Sequence, residues 1–163
     1  MATEGNSNLN ILTPGIQKFQ DACVVIVRTE WNNDITAELE NGALRVLQQH
    51  QTGLIKQYLV PGAFELPFAV QQLAAAKQAL PVKAIIALGC IIRGGTPHFD
   101  YVAKAVTEGL TQLNITLGIP VIFGVLTVNN KEQALDRCGG NEGHKGEEAA
   151  ITALKMIQFT GQL

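Results

Sequence analysis

The sequence predicts a three-layer α/β/α sandwich, in which one parallel β-sheet lies between two layers of helices. Short β-branched runs alternate with helical patterns from residue 22 onward, and this alternation implies right-handed crossovers between parallel strands. Two of the runs are apolar almost throughout, which is typical of strands covered on both faces. A length of 163 residues with 47% hydrophobic residues fits one compact core. We therefore expect a single domain over residues 1–163.

Four β-branched runs predict the strands of the central sheet. They are ACVVIV (22–27), LIKQYLV (54–60), VKAIIAL (82–88) and VIFGVLT (121–127). Four parallel strands covered by helices on both faces make the predicted fold flavodoxin-like. In such sheets, ligands bind beyond the carboxyl ends of the strands. The loops that follow the strands are therefore the first places to look for a site.

Five segments predict helices. The first lies between strands one and two, where apolar residues recur at helical spacing, and the others are expected at 65–80, 98–117, 130–138 and 146–160. Thr96 resembles an N-cap followed by Pro97 at the first helical position.

Residues 1–20 are expected to form a tail. Its polar start has too little apolar surface to offset the conformational entropy lost on ordering, unless a partner covers it. A strand added to a neighbouring subunit is the other interpretation.

Composition excludes several classes of function. A net charge of -2 leaves no excess positive field for nucleic acid or an anionic membrane. No apolar stretch approaches the roughly 20 residues of a membrane span, and the start lacks the features of a signal peptide, so we expect a cytoplasmic protein. Cys23, Cys90 and Cys138 are too widely spaced for a disulfide framework or a zinc site. From its local sequence, Cys90 is a packing residue. Nucleotide-binding fingerprints are absent.

The loop after the third strand predicts an anion site. Gly94 and Gly95 precede a helix start, whose free backbone amides favour bound anions. A flexible loop with an ordinary cap is the alternative. His98 lies just inside that helix, near Arg93, and a neutral imidazole there can transfer protons near pH 7. This combination favours a functional site over an inert exposed histidine.

Two further loops carry candidate residues. Pro61-Gly62 forms a turn before a helix start that bears Glu65, and its amides and carboxylate would suit a polyhydroxylated ligand. Turn formation and capping explain the same residues. Trp31 follows the first strand, where it could either pack into the core or stack on a planar heterocycle.

Arg137 and Lys145 flank a glycine-rich segment and offer two positive charges to a phosphate, although a solvated basic pair is the alternative. A nine-residue helix would carry Arg137 about 13 Å back along the sheet, to the amino edge and away from His98. Phe123, early in the fourth strand, lies toward that same edge. If Arg137 and His98 act on one phosphate, they must come from neighbouring subunits.

Five motifs together resemble the lumazine synthase family. They are Trp31-Asn32, VPGAFELPFA (60–69), LGCIIRGGTPHFDYVA (88–103), PVIFGVLT (120–127) and RCGGNEGHKGEEAA (137–150). The resemblance implies condensation of 5-amino-6-ribitylamino-uracil with 3,4-dihydroxy-2-butanone 4-phosphate in riboflavin biosynthesis. The products are 6,7-dimethyl-8-ribityllumazine, phosphate and water, and no metal or organic cofactor is implied.

The resemblance also assigns roles to residues of this sequence. His98 is the implied proton-transfer residue, Trp31 contacts the pyrimidine ring, and Glu148 is the acid paired with the phosphate-binding Arg137. The implied substrate-binding residues are Trp31, Asn32, Gly62, Ala63, Phe64, Glu65, Cys90, Ile91, Ile92, Gly95, Thr96, Phe123, Arg137 and Lys145. Gly94 joins Gly95 and Thr96 at the phosphate.

The family forms pentamers with sites between subunits, some closed into sixty-subunit capsids of twelve pentamers, so a homo-oligomer is implied here. Relatives often carry an acidic residue at Gly95 and asparagine at His144, and this chain departs from both. An archaeal-type riboflavin synthase, which pairs two lumazines, is an alternative function. A cage-forming scaffold with a vestigial site is the other.

Overall fold

A computed structural model describes residues 18–163, and its centre is a four-stranded parallel sheet with strand order β2-β1-β3-β4. The strands are β1 Cys23–Thr29, β2 Leu54–Val60, β3 Val82–Ile92 and β4 Val121–Val128. The four predicted strands and their parallel arrangement are confirmed. β3 continues four residues beyond the predicted end at residue 88, because β4 pairs with it as far as Ile92 and Val128.

Helices cover both faces of the sheet, which confirms the predicted three layers. They are α1 Asn33–Gln49, α2 Leu66–Ala75, α3 His98–Thr116, α4 Lys131–Leu135 and α5 Lys145–Thr160. A single 3-10 turn, Ala63–Glu65, precedes α2. Apolar side chains of α1 and α5 pack on one face of the sheet, and those of α2 and α3 pack on the other. Within residues 18–163, no helix is long and apolar enough to cross a membrane.

The end of α2 and the cap of α3 differ from the prediction. α2 ends at Ala75, because Ala76 already has an extended backbone and the following residues lead the chain back to the start of β3. There the carbonyl of Pro81 accepts a hydrogen bond of 3.0 Å from the amide of Cys23. Pro97 occupies the cap position instead of the first helical position, since α3 begins at His98.

The predicted helix over residues 130–138 has only five residues, Lys131–Leu135. The chain then reverses through a short antiparallel hairpin, made of β5 Cys138–Gly140 and β6 Gly143–His144. Gly139 has a φ of 106°, a backbone conformation that favours glycine. The paired glycines therefore build a turn where the sequence pattern suggests more helix.

The predicted N-terminal tail falls largely outside the described residues, which begin at Lys18. At its end, Phe19 is buried in the core beside α1 and α5, so the folded domain starts before residue 20. The alternative of a strand added to a neighbouring subunit concerns residues that the structure does not describe.

Candidate active site

A cavity of about 570 Å³ opens at the carboxyl end of the sheet, where the loops after β1, β2 and β3 meet the first turns of α3. The predicted site residues that line it are Trp31, Asn32, Ala63, Phe64, Glu65, Cys90, Ile91, Ile92, Gly94, Thr96 and His98. Segments that are distant in sequence thus converge on one space, as the topology of a parallel sheet requires. Gly62 and Gly95 are adjacent to these lining residues in the chain.

Trp31 is 68% exposed and contributes its indole to the cavity wall. Its backbone amide donates to the carbonyl of Pro61, and a methyl group added at Gly62 would lie 2.8 Å from the indole ring. The ring therefore rests on the Pro61-Gly62 turn with much of its surface open. Of the two interpretations from sequence, burial of Trp31 in the core is excluded.

Asn32 ties the loop after β1 to the end of β3. Its backbone is left-handed, with a φ of 57°, which asparagine tolerates better than most residues. Its side-chain amide donates a hydrogen bond of 2.8 Å to the carbonyl of Cys90. This bond fixes the position of the neighbouring Trp31 relative to the cavity floor.

Glu65 both caps the turn before α2 and lines the cavity. One of its carboxylate oxygens accepts a hydrogen bond of 2.9 Å from the amide of Gly62, which is the carboxylate half of a capping box. The other oxygen is left to accept hydrogen bonds from a ligand. Phe64, next to it, is 62% exposed. The capping role and the binding role of Glu65 are therefore compatible.

The segment from Gly94 to His98 is exposed and makes few contacts. No atom lies within 4 Å of a side chain built at Gly94 or Gly95. Thr96 Oγ1 accepts a hydrogen bond from the amide of His98 at 3.4 Å, and both residues line the cavity. The loop and the start of α3 have the open form that an anion site needs.

Arg93, which the sequence placed beside this anion site, already has partners. Its guanidinium donates two hydrogen bonds to Asp100, at 2.7 and 3.2 Å, and lies 4.1 Å from the centre of the Phe99 ring. The hydrogen bond from Arg93 lowers the pKa of Asp100. Arg93 therefore braces the first turn of α3 through Asp100.

Cys90 lines the cavity as a buried thiol. Burial raises its pKa to about 12, so the thiolate needed for nucleophilic attack is scarce at neutral pH. The packing role expected from its local sequence agrees with this environment.

Among residues 18–163, no group of three or more His, Cys, Asp or Glu side chains is placed to hold a metal ion.

The remaining predicted residues lie elsewhere on the same chain. Phe123, Lys145 and Glu148 line a separate cavity of about 520 Å³ between β4 and α5. The side chain of Lys145 donates to Glu148 at 2.7 Å, and that of Arg137 donates to the carbonyl of Gln133 at 2.9 Å. The expected pairing of Glu148 with Arg137 is therefore wrong in this chain, where Lys145 is the partner.

The predicted position of Arg137 at the amino edge of the sheet is also wrong. Cys138, the next residue, has its sulfur 3.8 Å from the carbonyl oxygen of Ile35. Ile35 belongs to the first turn of α1, which begins at the carboxyl side of the sheet. The five-residue α4 is too short to carry the chain further. Even so, Arg137 is not among the residues that line the His98 cavity.

Sequence reasoning missed four residues of the cavity wall, which are Thr29, Phe99, Tyr101 and Val102. Three of them share the first turns of α3 with His98. Residues three or four apart lie on one helix face, so Tyr101 and Val102 could have been found from their spacing to His98. Tyr101 is also 72% exposed, and so large an exposed aromatic side chain indicates a surface that binds a ligand or a partner.

Comparison with known proteins identifies the family of the chain. A family model described as 6,7-dimethyl-8-ribityllumazine synthase matches residues 21–160. The protein of that name from Cytophaga hutchinsonii is 46% identical over 162 residues, covering 97% of this chain and 99% of the relative. The one from Bacteroides fragilis is 49% identical over 142 residues, covering 85% and 96%. The one from Parabacteroides distasonis is 48% identical over 139 residues, covering 83% and 84%. This chain belongs to the 6,7-dimethyl-8-ribityllumazine synthase family.

Proposed function

We propose that the chain is a transferase of riboflavin biosynthesis. It condenses 5-amino-6-ribitylamino-uracil with 3,4-dihydroxy-2-butanone 4-phosphate, giving 6,7-dimethyl-8-ribityllumazine, phosphate and water. The observation that carries the proposal is the single cavity that combines Trp31, Glu65, the loop before α3 and His98. These groups match a planar ring, a polyhydroxylated chain and a phosphate.

Each part of the substrates has a counterpart in the cavity. The open surface of Trp31 suits the uracil ring, because an indole stacks favourably on a planar heterocycle. Backbone groups from Gly62 to Phe64 and the free oxygen of Glu65 suit the ribityl hydroxyls, which both donate and accept hydrogen bonds. We assign the phosphate to the amides of Gly95 and Thr96 before α3, where Thr96 lines the cavity.

The reaction needs positioning and proton transfer more than covalent catalysis. The ring amine of the uracil adds to the ketone and loses water to form an imine. Phosphate then leaves by elimination, and the resulting enol tautomerises to a ketone. The ribitylamino nitrogen attacks that carbonyl and a second water is lost as the ring closes. His98 moves protons in these steps, and binding both substrates side by side supplies much of the rate gain.

A phosphate in this cavity needs a positive charge that the same chain does not provide there. Among the described residues that line it, none is lysine or arginine, and Arg93 is engaged with Asp100. We infer that an adjacent copy of the chain supplies Arg137 and Lys145 for the phosphate, together with Phe123 for the ring. The assembly that fits is a cyclic homopentamer, able to close into a capsid of twelve pentamers, in the cytoplasm.

The test is to mix the two substrates with the purified protein and to follow lumazine absorbance and released phosphate together. The proposed enzyme gives equal amounts of both. A matched control is Lys104→Ala, which removes an exposed charge outside this cavity and should leave the rate unchanged. A protein that forms riboflavin when given the lumazine alone would be a riboflavin synthase. A protein inactive in both assays would be a scaffold, and either result overturns the proposal.

A further inference from the structure

We propose that His144 is a positioning residue that holds Arg137 and Lys145 in place while its ring is neutral and releases them when the ring takes up a proton. The proposal rests on the proposed function, in which these two cations bind the phosphate group. It concerns a residue that lies outside the His98 cavity. Three sets of contacts carry it.

The first contact is the cap of α5. His144 precedes the helix, and its Nδ1 accepts a hydrogen bond of 3.4 Å from the amide of Glu147. A ring nitrogen that accepts a hydrogen bond carries no proton, so the proton of the neutral ring is on Nε2. The side chain is only 8% exposed. The cap therefore depends on the neutral form of a nearly buried imidazole.

The second contact is with α1. A methyl group added at Gly42 would overlap the imidazole, so the ring occupies a slot that this glycine leaves open. Nε2 is buried and lies 3.5 Å from a carboxylate oxygen of Glu38, which is too long for a good hydrogen bond. On this side the ring is therefore held by packing against Gly42, with the carboxylate of Glu38 nearby.

The third contact links the ring to the two cations. Within the β5–β6 hairpin, His144 is paired with Cys138, the residue after Arg137. On the other side of His144, the amide of Lys145 donates a hydrogen bond of 2.8 Å to the carbonyl of Arg137. A shift of the His144 backbone thus moves both Lys145 and the strand that follows Arg137.

The groups that face the ring come from three elements. Glu38 lies on α1, Glu147 lies on α5, and Cys138 lies on β5, while Arg45 of α1 pairs with both Glu38 and Glu147. A hydrogen bond from Asn41 lowers the pKa of Glu38, and the neighbouring His144 adds to that effect, so Glu38 stays ionised. Burial raises the pKa of Cys138 to about 11. Neither Glu38 nor Cys138 therefore changes charge near neutral pH in the way that an imidazole does.

Protonation would convert the cap into a repulsive contact. Nδ1 would then carry a hydrogen and face the amide hydrogen of Glu147, while the charged ring would be drawn toward Glu38. Both effects favour movement of the ring away from the start of α5. Acid therefore weakens the phosphate site through the hairpin, without any change in His98.

The experiment measures the Kd of inorganic phosphate by calorimetry at pH 8 and pH 6, for the wild type and for His144→Asn. Asparagine is a strong N-cap whose side-chain oxygen accepts at both pH values. We expect similar Kd values at pH 8. At pH 6 the wild type should bind about fivefold more weakly than His144→Asn, the fold-change that corresponds to one lost cap. Ionisation of phosphate itself affects both proteins equally and cancels in the ratio.

Gly42→Ala provides an independent variant that changes no polar group. It should weaken phosphate binding at pH 8 in the wild type, because the methyl displaces the imidazole. In the His144→Asn background the smaller side chain should tolerate it. A role of Gly42 that is independent of the ring would instead give the same loss in both backgrounds, which would overturn the proposal.

Two further outcomes also overturn it. One is a ratio of Kd values that does not change between pH 8 and pH 6. The other is failure of His144→Asn to assemble, since packing of the ring and not its cap would then be the essential feature. Phosphate binding is measured without turnover, so a wild type that shows the pH-dependent ratio but makes no lumazine would contradict only the proposed function.

Discussion

The loop before α3 and the junction of the β5–β6 hairpin with α5 contribute to the same proposed phosphate site in opposite ways. At Gly94 and Gly95, no atom lies within 4 Å of an added side chain. At Gly140, an added methyl would lie 2.7 Å from the backbone of Asp136, and at Gly146 it would overlap the carbonyl of Leu39. One region is open space at the surface, and the other is a tightly packed joint between elements.

The glycines of the open loop and those of the packed joint therefore have different roles, although they look alike in the sequence. Both regions are rich in glycine and both are expected to bind phosphate. In the loop, small residues leave room for a ligand and contribute little to folding. In the joint, they let α5 approach α1 closely, so the fold depends on them. Substitutions in the loop should affect binding, and those in the joint should affect stability first.

The largest expected effect is on stability and tests this contrast directly. Gly146→Ala should lower the free energy of unfolding by about 3 kcal/mol, since the methyl has no space against the α1 backbone. Gly95→Ala should change it by less than about 0.5 kcal/mol while weakening phosphate binding. Urea denaturation of the two variants at equal protein concentration measures both values. Equal losses of stability would remove the distinction between the regions.

The next largest effect is on turnover, and it tests whether Arg137 and His98 of one site come from neighbouring subunits. Arg137→Ala should lower turnover by about 100-fold, because a charged hydrogen bond to phosphate is worth up to about 3 kcal/mol. When Arg137→Ala and His98→Ala chains are assembled together in equal amounts, about a quarter of head-to-tail interfaces combine both intact residues. Activity should then rise to about a quarter of the wild-type rate.

Mixing the same two variants after assembly, without subunit exchange, is the control and should show no gain. A co-assembled sample no more active than the mean of the two variants would place the whole site within one chain.

His98→Ala should have a smaller effect, of about tenfold on turnover. This is less than the roughly 10²–10⁴-fold contribution of many general bases, because imine formation proceeds unaided and water can relay protons. Steady-state rates of the correctly assembled variant measure it. Complete loss of activity would mean that the open loop carries a stronger chemical role than proton transfer.

Trp31→Ala should have the smallest effect, weakening the uracil substrate by about fivefold, since stacking contributes about 1 kcal/mol. The KM of the butanone phosphate should change less, because only the planar ring gains from stacking. Trp31→Phe should retain most of the affinity. Equal losses for both substrates would identify Trp31 as a support for the Gly62 turn instead of a ligand contact.

Sequence reasoning predicted the four strands, the layers and most of the His98 cavity, because each strand is a short β-branched run and most candidates lie at or just after a strand end. It did not predict the hairpin between Arg137 and Lys145. Helical spacing continued past Leu135, while the hairpin depends on the positive φ of Gly139 and on cross-strand pairing, which periodicity does not contain. The slot beside Gly42 that receives His144 is formed by residues about 100 positions apart, and no local pattern predicts it.

The environment of Cys90 has a consequence for how the protein tolerates oxidants. Peroxides and alkylating agents attack cysteine as the thiolate, and a thiol next to a substrate cavity is usually an exposed target. Here burial keeps Cys90 protonated, with a pKa of about 12. We expect Cys90 itself to remain a thiol under oxidative stress that would inactivate enzymes with an ionised active-site cysteine.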